Sequence, residues 1–95
     1  MVVSMLQFII ELPDVITIKD KRRIVKSVKE KIQRRFKVSI AEVDLQDSLR
    51  YTQIAAAIVS NSRSYGEEVM NKIIAFIEKE AEGRLQDVSI HSELF

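Results

Sequence analysis

Residues 17–36 read TIKDKRRIVKSVKEKIQRRF, and this stretch decides how its neighbours are read. Ile18, Val25, Val28, Ile32 and Phe36, with Ile24 at the flank, recur at spacings of seven, three, four and four, which draws one apolar stripe along about five turns of helix. Thr17-Ile18-Lys19-Asp20 has the S/T-x-x-D/E form whose side chains satisfy orphan amides at a helix start. Toward the N-terminus, Pro13 and Asp14 end a segment, Val2 to Leu12, that alternates with period two. Its even positions (Val2, Ser4, Leu6, Phe8, Ile10, Leu12) are more apolar than its odd ones, which predicts a strand with one buried face. Beyond the helix, Val38 to Leu45 alternates again, with Val38 and Ile40 on one side and Ala41, Val43 and Leu45 on the other, and reads as a second strand. Gln46 to Arg50 is a polar connection to a third strand, Tyr51 to Ser60. Ala55 to Ala57 would suit a helix equally, but the stretch is short and bounded by turn-like segments.

Asn61 and Ser62 are cap candidates for a second helix, and Ser64-Tyr65-Gly66-Glu67 offers another capping box. Val69, Met70, Ile73, Ile74, Ile77 and Ala81 then keep helical spacing as far as Gly83, a good C′ residue. Leu85 to His91 closes as a short strand. The order strand, helix, strand, strand, helix, strand predicts an α+β, ferredoxin-like βαββαβ fold. Right-handed crossovers put the first and third strands at the centre of an antiparallel sheet, with both helices on one face. The chain has 95 residues, enough for one domain spanning 1–95. At 46% apolar with two Gly and one Pro, it can bury a core, and disordered and low-complexity classes are excluded.

Several kinds of chemistry are missing. There is no cysteine, so disulfides, thiolate metal sites and cysteine nucleophiles are out, and a reducing cytoplasmic home is expected. His91 is the only histidine and has no second imidazole with which to form a metal pair. The apolar N-terminus has no basic flank or small-residue cleavage site, and is read as neither signal peptide nor membrane span. Glu42, Asp44 and Asp47 could gather near the second strand, but carboxylates at a strand end are more often solvated or paired, here with Arg50, than catalytic. An acylphosphatase of this topology needs a Gly-rich anion loop after the first strand, which Pro13-Asp14-Val15-Ile16 cannot make. No catalytic residue, metal or cofactor is expected, and a binding protein is favoured over an enzyme.

The net charge of +1 conceals an uneven distribution. Lys19 to Lys37 holds ten basic residues against Asp20 and Glu30, a net of +8, and the other 76 residues carry −7. On a helical projection Lys19, Arg23, Lys26, Arg34 and Lys37 oppose the apolar stripe, with Arg22 and Lys29 at one border and Lys31 and Arg35 at the other. Such a band can follow a phosphate backbone. Lys19, Arg22, Arg23, Lys26, Lys29, Arg34 and Lys37 are therefore the candidate nucleic-acid-binding residues, with RNA or the ribosome as partner. The competing reading is a solubilising face partly neutralised by Glu67, Glu68, Glu78 and Glu80 of the second helix. The sheet face away from the helices has no interior aromatic on its central strands for base stacking. It does expose Val3, Met5 and Ile9, more apolar surface than a monomer usually leaves to water, so a homodimer through this face is expected. A homodimeric scaffold or small-molecule-sensing domain without a nucleic-acid role is the alternative function.

Ile18-Lys19-Asp20-Lys21-Arg22-Arg23, then Phe36-Lys37-Val38-Ser39-Ile40-Ala41-Glu42-Val43, then Asp47, then Val59-Ser60-Asn61 ahead of a helix resemble, in order and spacing, the small bacterial YlxP-like family, a domain family of unknown function. That family pattern has Ser-Leu at Thr17-Ile18, Asn at Lys37, Gly at Ser4 and usually Asp at Ser62. The resemblance implies a ferredoxin-like fold. Because genes of the family often lie among those for translation initiation and ribosome maturation, it also implies an RNA or ribosome connection, with no catalytic activity.

Overall fold

The computed structural model describes residues 1–95. Its elements are β1 (Val2–Glu11), α1 (Ile18–Phe36), β2 (Ser39–Asp44), β3 (Tyr51–Ser60), α2 (Arg63–Glu80) and β4 (Arg84–Leu94). All pairings are antiparallel and the strand order is β2-β3-β1-β4, the ferredoxin-like arrangement, with the first and third strands at the centre.

The alternation along β1 is the backbone of the core. Leu6, Phe8, Ile10 and Leu12 are buried on the helix side, where they meet Ile54 and Ala56 of β3, Val25, Val28 and Ile32 of α1, and Met70, Ile73 and Ile77 of α2. Full burial of each large side chain stabilises by about 1.5–3 kcal/mol. The triple alanine of β3 is strand, as its turn-bounded length suggests, with Ala56 inward and Ala55 and Ala57 on the open face across from Gln7 and Met5.

Several boundaries differ from the sequence reading. β1 stops at Glu11, although Leu12 N–H still donates to Arg50 O at 2.6 Å. β2 is shorter at both ends than Val38–Leu45: it begins at Ser39, after the left-handed Lys37 that ends α1, and stops at Asp44, where Leu45 at φ +64° turns the chain out of the sheet. β4 is longer than Leu85–His91 and reaches Leu94 opposite Val2. The α2 cap is Ser62, whose Oγ accepts from Tyr65 N at 3.3 Å; the Ser64 box lies inside the helix. α2 ends at Ala81 in an extended conformation, so Gly83 is not C′ but lies two residues on, at φ +93°, where a Cβ would strike Glu11 O.

Gly66 marks a close approach of a different kind. It lies in the first turn of α2 against Ser4, and a Cβ added there would overlap the Ser4 side chain. Ser4 is fully buried, and its hydroxyl bonds that of Ser92 at 2.8 Å.

Candidate nucleic-acid interface

α1 is held at both ends by local chemistry. Thr17 Oγ1 accepts from Asp20 N at 3.2 Å, and Thr17 O from Lys21 N at 3.1 Å. At the other end Lys37 takes a left-handed conformation, φ 56° and ψ 48°, and its N–H donates to Gln33 O at 2.9 Å. Asp20 in the first turn and Arg34 and Arg35 in the last are matched to the helix dipole.

The ten bases of this segment divide into three groups. Lys21 is not a surface charge at all. It is 1% exposed, and its Nζ donates to Leu45 O at 2.5 Å and Gln46 O at 3.2 Å, with Glu42 Oε2 3.4 Å away. Thr52 Oγ1 donates to the same Glu42 oxygen at 2.6 Å. This network fastens α1 to the β2–β3 turn, in which Leu45 is left-handed. Leaving Lys21 and Glu42 out of the count, the segment carries +7 and the rest of the chain −6. Arg35 forms the second group: its guanidinium stacks over Phe76 at 5.2 Å and Phe36 at 5.7 Å, capping an edge-to-face aromatic pair.

The third group is the surface band. Lys19, Arg22, Arg23, Lys26, Lys31, Arg34 and Lys37 are exposed, and Lys29 is half-buried. Arg22, Lys26 and Lys29 line the groove between α1 and β2. Arg23 and Lys31 line the groove between α1 and α2, and Arg34 lies beside Lys31 on that flank. Only Arg23, near Asp20 at 3.8 Å, and Lys26, near Glu30 at 4.0 Å, have acid neighbours; both pairs are exposed and worth little. Lys19, Arg22, Lys29, Lys31, Arg34 and Lys37 have no carboxylate within 4.0 Å. Neutralisation by the second helix does not occur through ion pairs: Glu68 binds Lys72 of its own helix at 3.1 Å, and Glu67, Glu78 and Glu80 pair with no base.

The acids near β2 do not form a site. Glu42 turns to the helix side and pairs with Lys21, Asp44 accepts from Leu45 N at 2.8 Å, and no acid cluster could hold a metal ion. Arg50, expected beside these acids, instead grips Glu11, with Nε and Nη2 at 2.7 and 2.6 Å from Oε2. The hydrogen bond to Glu11, and then its charge, hold the Arg50 guanidinium above its already high pKa. His91, expected at a strand end, is exposed but lies within β4 opposite Met5, with its Nε2 3.9 Å from Glu93.

On the open sheet face Val3 lies across from Val59 and Glu93, and Met5 from Ala57 and His91. Met5 joins Ala41, Val43, Ala55 and Ala57 around a shallow apolar depression of about 240 Å³. Ile9 is separated from it, flanked by Gln53 and Gln86. The three residues thus share a face but not one patch, and the β4 side of that face is polar. Sequence reasoning missed the buried Lys21. The signal available was its position on the apolar side of the projection, between Ile18 and Val25.

A family model described as "Protein of unknown function (DUF503)" matches residues 3–90. An uncharacterised protein of Bacillus subtilis named YlxP is 36% identical over 62 residues, covering 65% of this chain and 67% of its own length.

Proposed function

Since the chain belongs to the DUF503 family of proteins of unknown function, we propose from its geometry that it is an RNA- or ribosome-associated binding protein whose contact surface is α1. The observation that carries this is the set of six cations on one helix and its cap with no carboxylate partner, on a molecule whose overall charge is close to neutral. Like charges crowded on one helix repel by a few tenths of a kcal/mol per neighbouring pair. A bound polyanion removes that repulsion and adds release of condensed counterions. The uneven field also steers an anionic partner to one side of the protein.

Crosslinking in cells with identification of the bound RNA tests the reading, together with binding in vitro at low salt. Affinity is expected to fall steeply as salt rises, and Arg23→Glu with Lys26→Glu to weaken it at least tenfold. No RNA recovered and no binding at low salt would retire the proposal, as would binding that ignores these reversals.

A second reading concerns the open sheet. The apolar depression around Met5, continued by the 63%-exposed Val59, favours association with a second copy of the chain through this face. Sedimentation equilibrium is expected to show a dimer that Met5→Glu dissociates; a monomer at high concentration excludes it.

A further inference from the structure

The cleft between α1 and α2 encloses about 210 Å³, and its floor is apolar: Ile24 and Val28 come from α1, and Phe76, Ile77 and Ala81 from the end of α2. Val28 and Ile77 belong to the core and the other three pack against it, so the floor is fixed by the fold. The Phe76 ring is held further by the Arg35 guanidinium at 5.2 Å and by Phe36, edge-on at 5.7 Å, neither of which lines the cleft.

The lips above this floor carry charges of both signs. Arg23 and Lys31 stand on the α1 side, Glu80 and Glu82 on the α2 side. They face each other without pairing. No base comes within 4.0 Å of Glu80 or Glu82, Lys31 has no carboxylate within that distance, and Arg23 meets only Asp20 of its own helix. Half-buried Ser27 falls between the two bases at spacings of four, so that the α1 lip is one row of a guanidinium, a hydroxyl and an ammonium. On the other lip Ala81 N–H donates to Ile77 O at 3.0 Å and α2 stops, which places the negative end of its dipole beside Glu80 and Glu82.

This lining selects among ligand classes. A simple anion lying in the cleft would meet Glu80 and Glu82, and a simple cation would meet Arg23 and Lys31. A purely apolar molecule would draw all these charges from water and pair none of them. A molecule that joins a positive and a negative group on one small head to an apolar tail satisfies every part. The volume sets its size, since about 210 Å³ is below the roughly 300–1,000 Å³ of pockets for drug-sized ligands.

We infer that the α1–α2 cleft binds a free α-amino acid with an apolar side chain. Its carboxylate lies on Arg23, Ser27 and Lys31, its ammonium on Glu80 and Glu82, and its side chain on Ile24, Phe76 and Ala81. The inference does not depend on the RNA reading, because the floor and the α2 lip take no part in that contact.

Two-dimensional NMR titration of the full chain at low salt with L-phenylalanine and with L-leucine tests this. Saturating shifts centred on the amides of Ser27, Ile77 and Ala81 are expected, with a Kd below about 1 mM for at least one of the two. N-acetyl-L-phenylalanine and L-phenylalaninamide each lack one charge, and L-alanine lacks the tail; all three should bind at least tenfold more weakly. Glu80→Gln with Glu82→Gln should cost the amino acid at least tenfold without weakening N-acetyl-L-phenylalanine further, and Lys31→Gln should do the same without weakening L-phenylalaninamide. Urea midpoints close to the parent's show that these variants fold. No saturable shift with either amino acid up to about 10 mM overturns the inference, as do shifts centred elsewhere on the molecule. N-acetyl-L-phenylalanine or L-phenylalaninamide bound as tightly as L-phenylalanine overturns recognition of both charges, and unchanged affinity in the paired glutamine variant overturns the role of the α2 lip.

Discussion

Lys21 shows how far one position can depart from the pattern around it. In a run of ten bases it is the one drawn inward, because it falls on the buried side of the helix and meets two turn carbonyls and the Glu42 carboxylate. Removing one partner of a buried pair leaves the other uncompensated, at a cost of about 3–5 kcal/mol when burial is complete. Because the Glu42 side chain is 18% exposed and keeps its bond from Thr52, Lys21→Met is expected to cost about 2–3 kcal/mol. Urea denaturation should show the midpoint falling at unchanged slope, with partial recovery in Lys21→Met/Glu42→Leu. Gly66 and Ser4 form a second dependent pair. In a helix Ala is ordinarily better than Gly by about 1 kcal/mol, yet Gly66→Ala forces a methyl into Ser4 and is expected to destabilise by about 1–3 kcal/mol. Ser4→Gly should restore most of the loss, and thermal unfolding of the two single variants and the double variant measures the coupling.

The elements themselves were legible because each rests on periodicity and local caps. The apolar stripe and Thr17 determine α1 from Ile18 to Phe36, and the two-residue alternation determines the face of β1 that is buried. What could not be read locally was settled by contacts distant in sequence. β4 extends to Leu94 because Val2 is there to pair with it, and Arg50 turns from the nearby acids to Glu11, thirty-nine residues away. The choice between Ser62 and Ser64 as cap also needed the structure, since both precede suitable residues. Ser62→Ala is accordingly expected to cost about 1 kcal/mol and Ser64→Ala much less, as measured by chemical denaturation. For the candidate interface, the band of exposed cations followed directly from the helical projection. The absence of ion pairs from α2 did not, because the spacing between two helices is a property of the packed sheet.

At the scale of the molecule the central fact is that opposite charges occupy different regions of a nearly neutral protein. Binding to RNA should therefore show a log–log salt dependence, with a slope of about −0.7 to −0.9 for each phosphate contacted, and isothermal titration at several salt concentrations reads it. A slope near zero would mean that apolar contacts carry the interaction. The open sheet face belongs to the same scale, since its depression near Met5 is continuous across β2, β3 and β1 and no single strand announces it. The separation of charge also acts between identical copies. The basic face of one molecule is complementary to acids elsewhere on another, such as the exposed Asp87 and Glu93 of β4 at the sheet edge opposite β2, and such a head-to-tail contact does not close on itself. Concentrated protein in dilute buffer should therefore become turbid through open-ended chains and clear again on adding salt, so that a protein with almost no net charge dissolves best where its own field is screened.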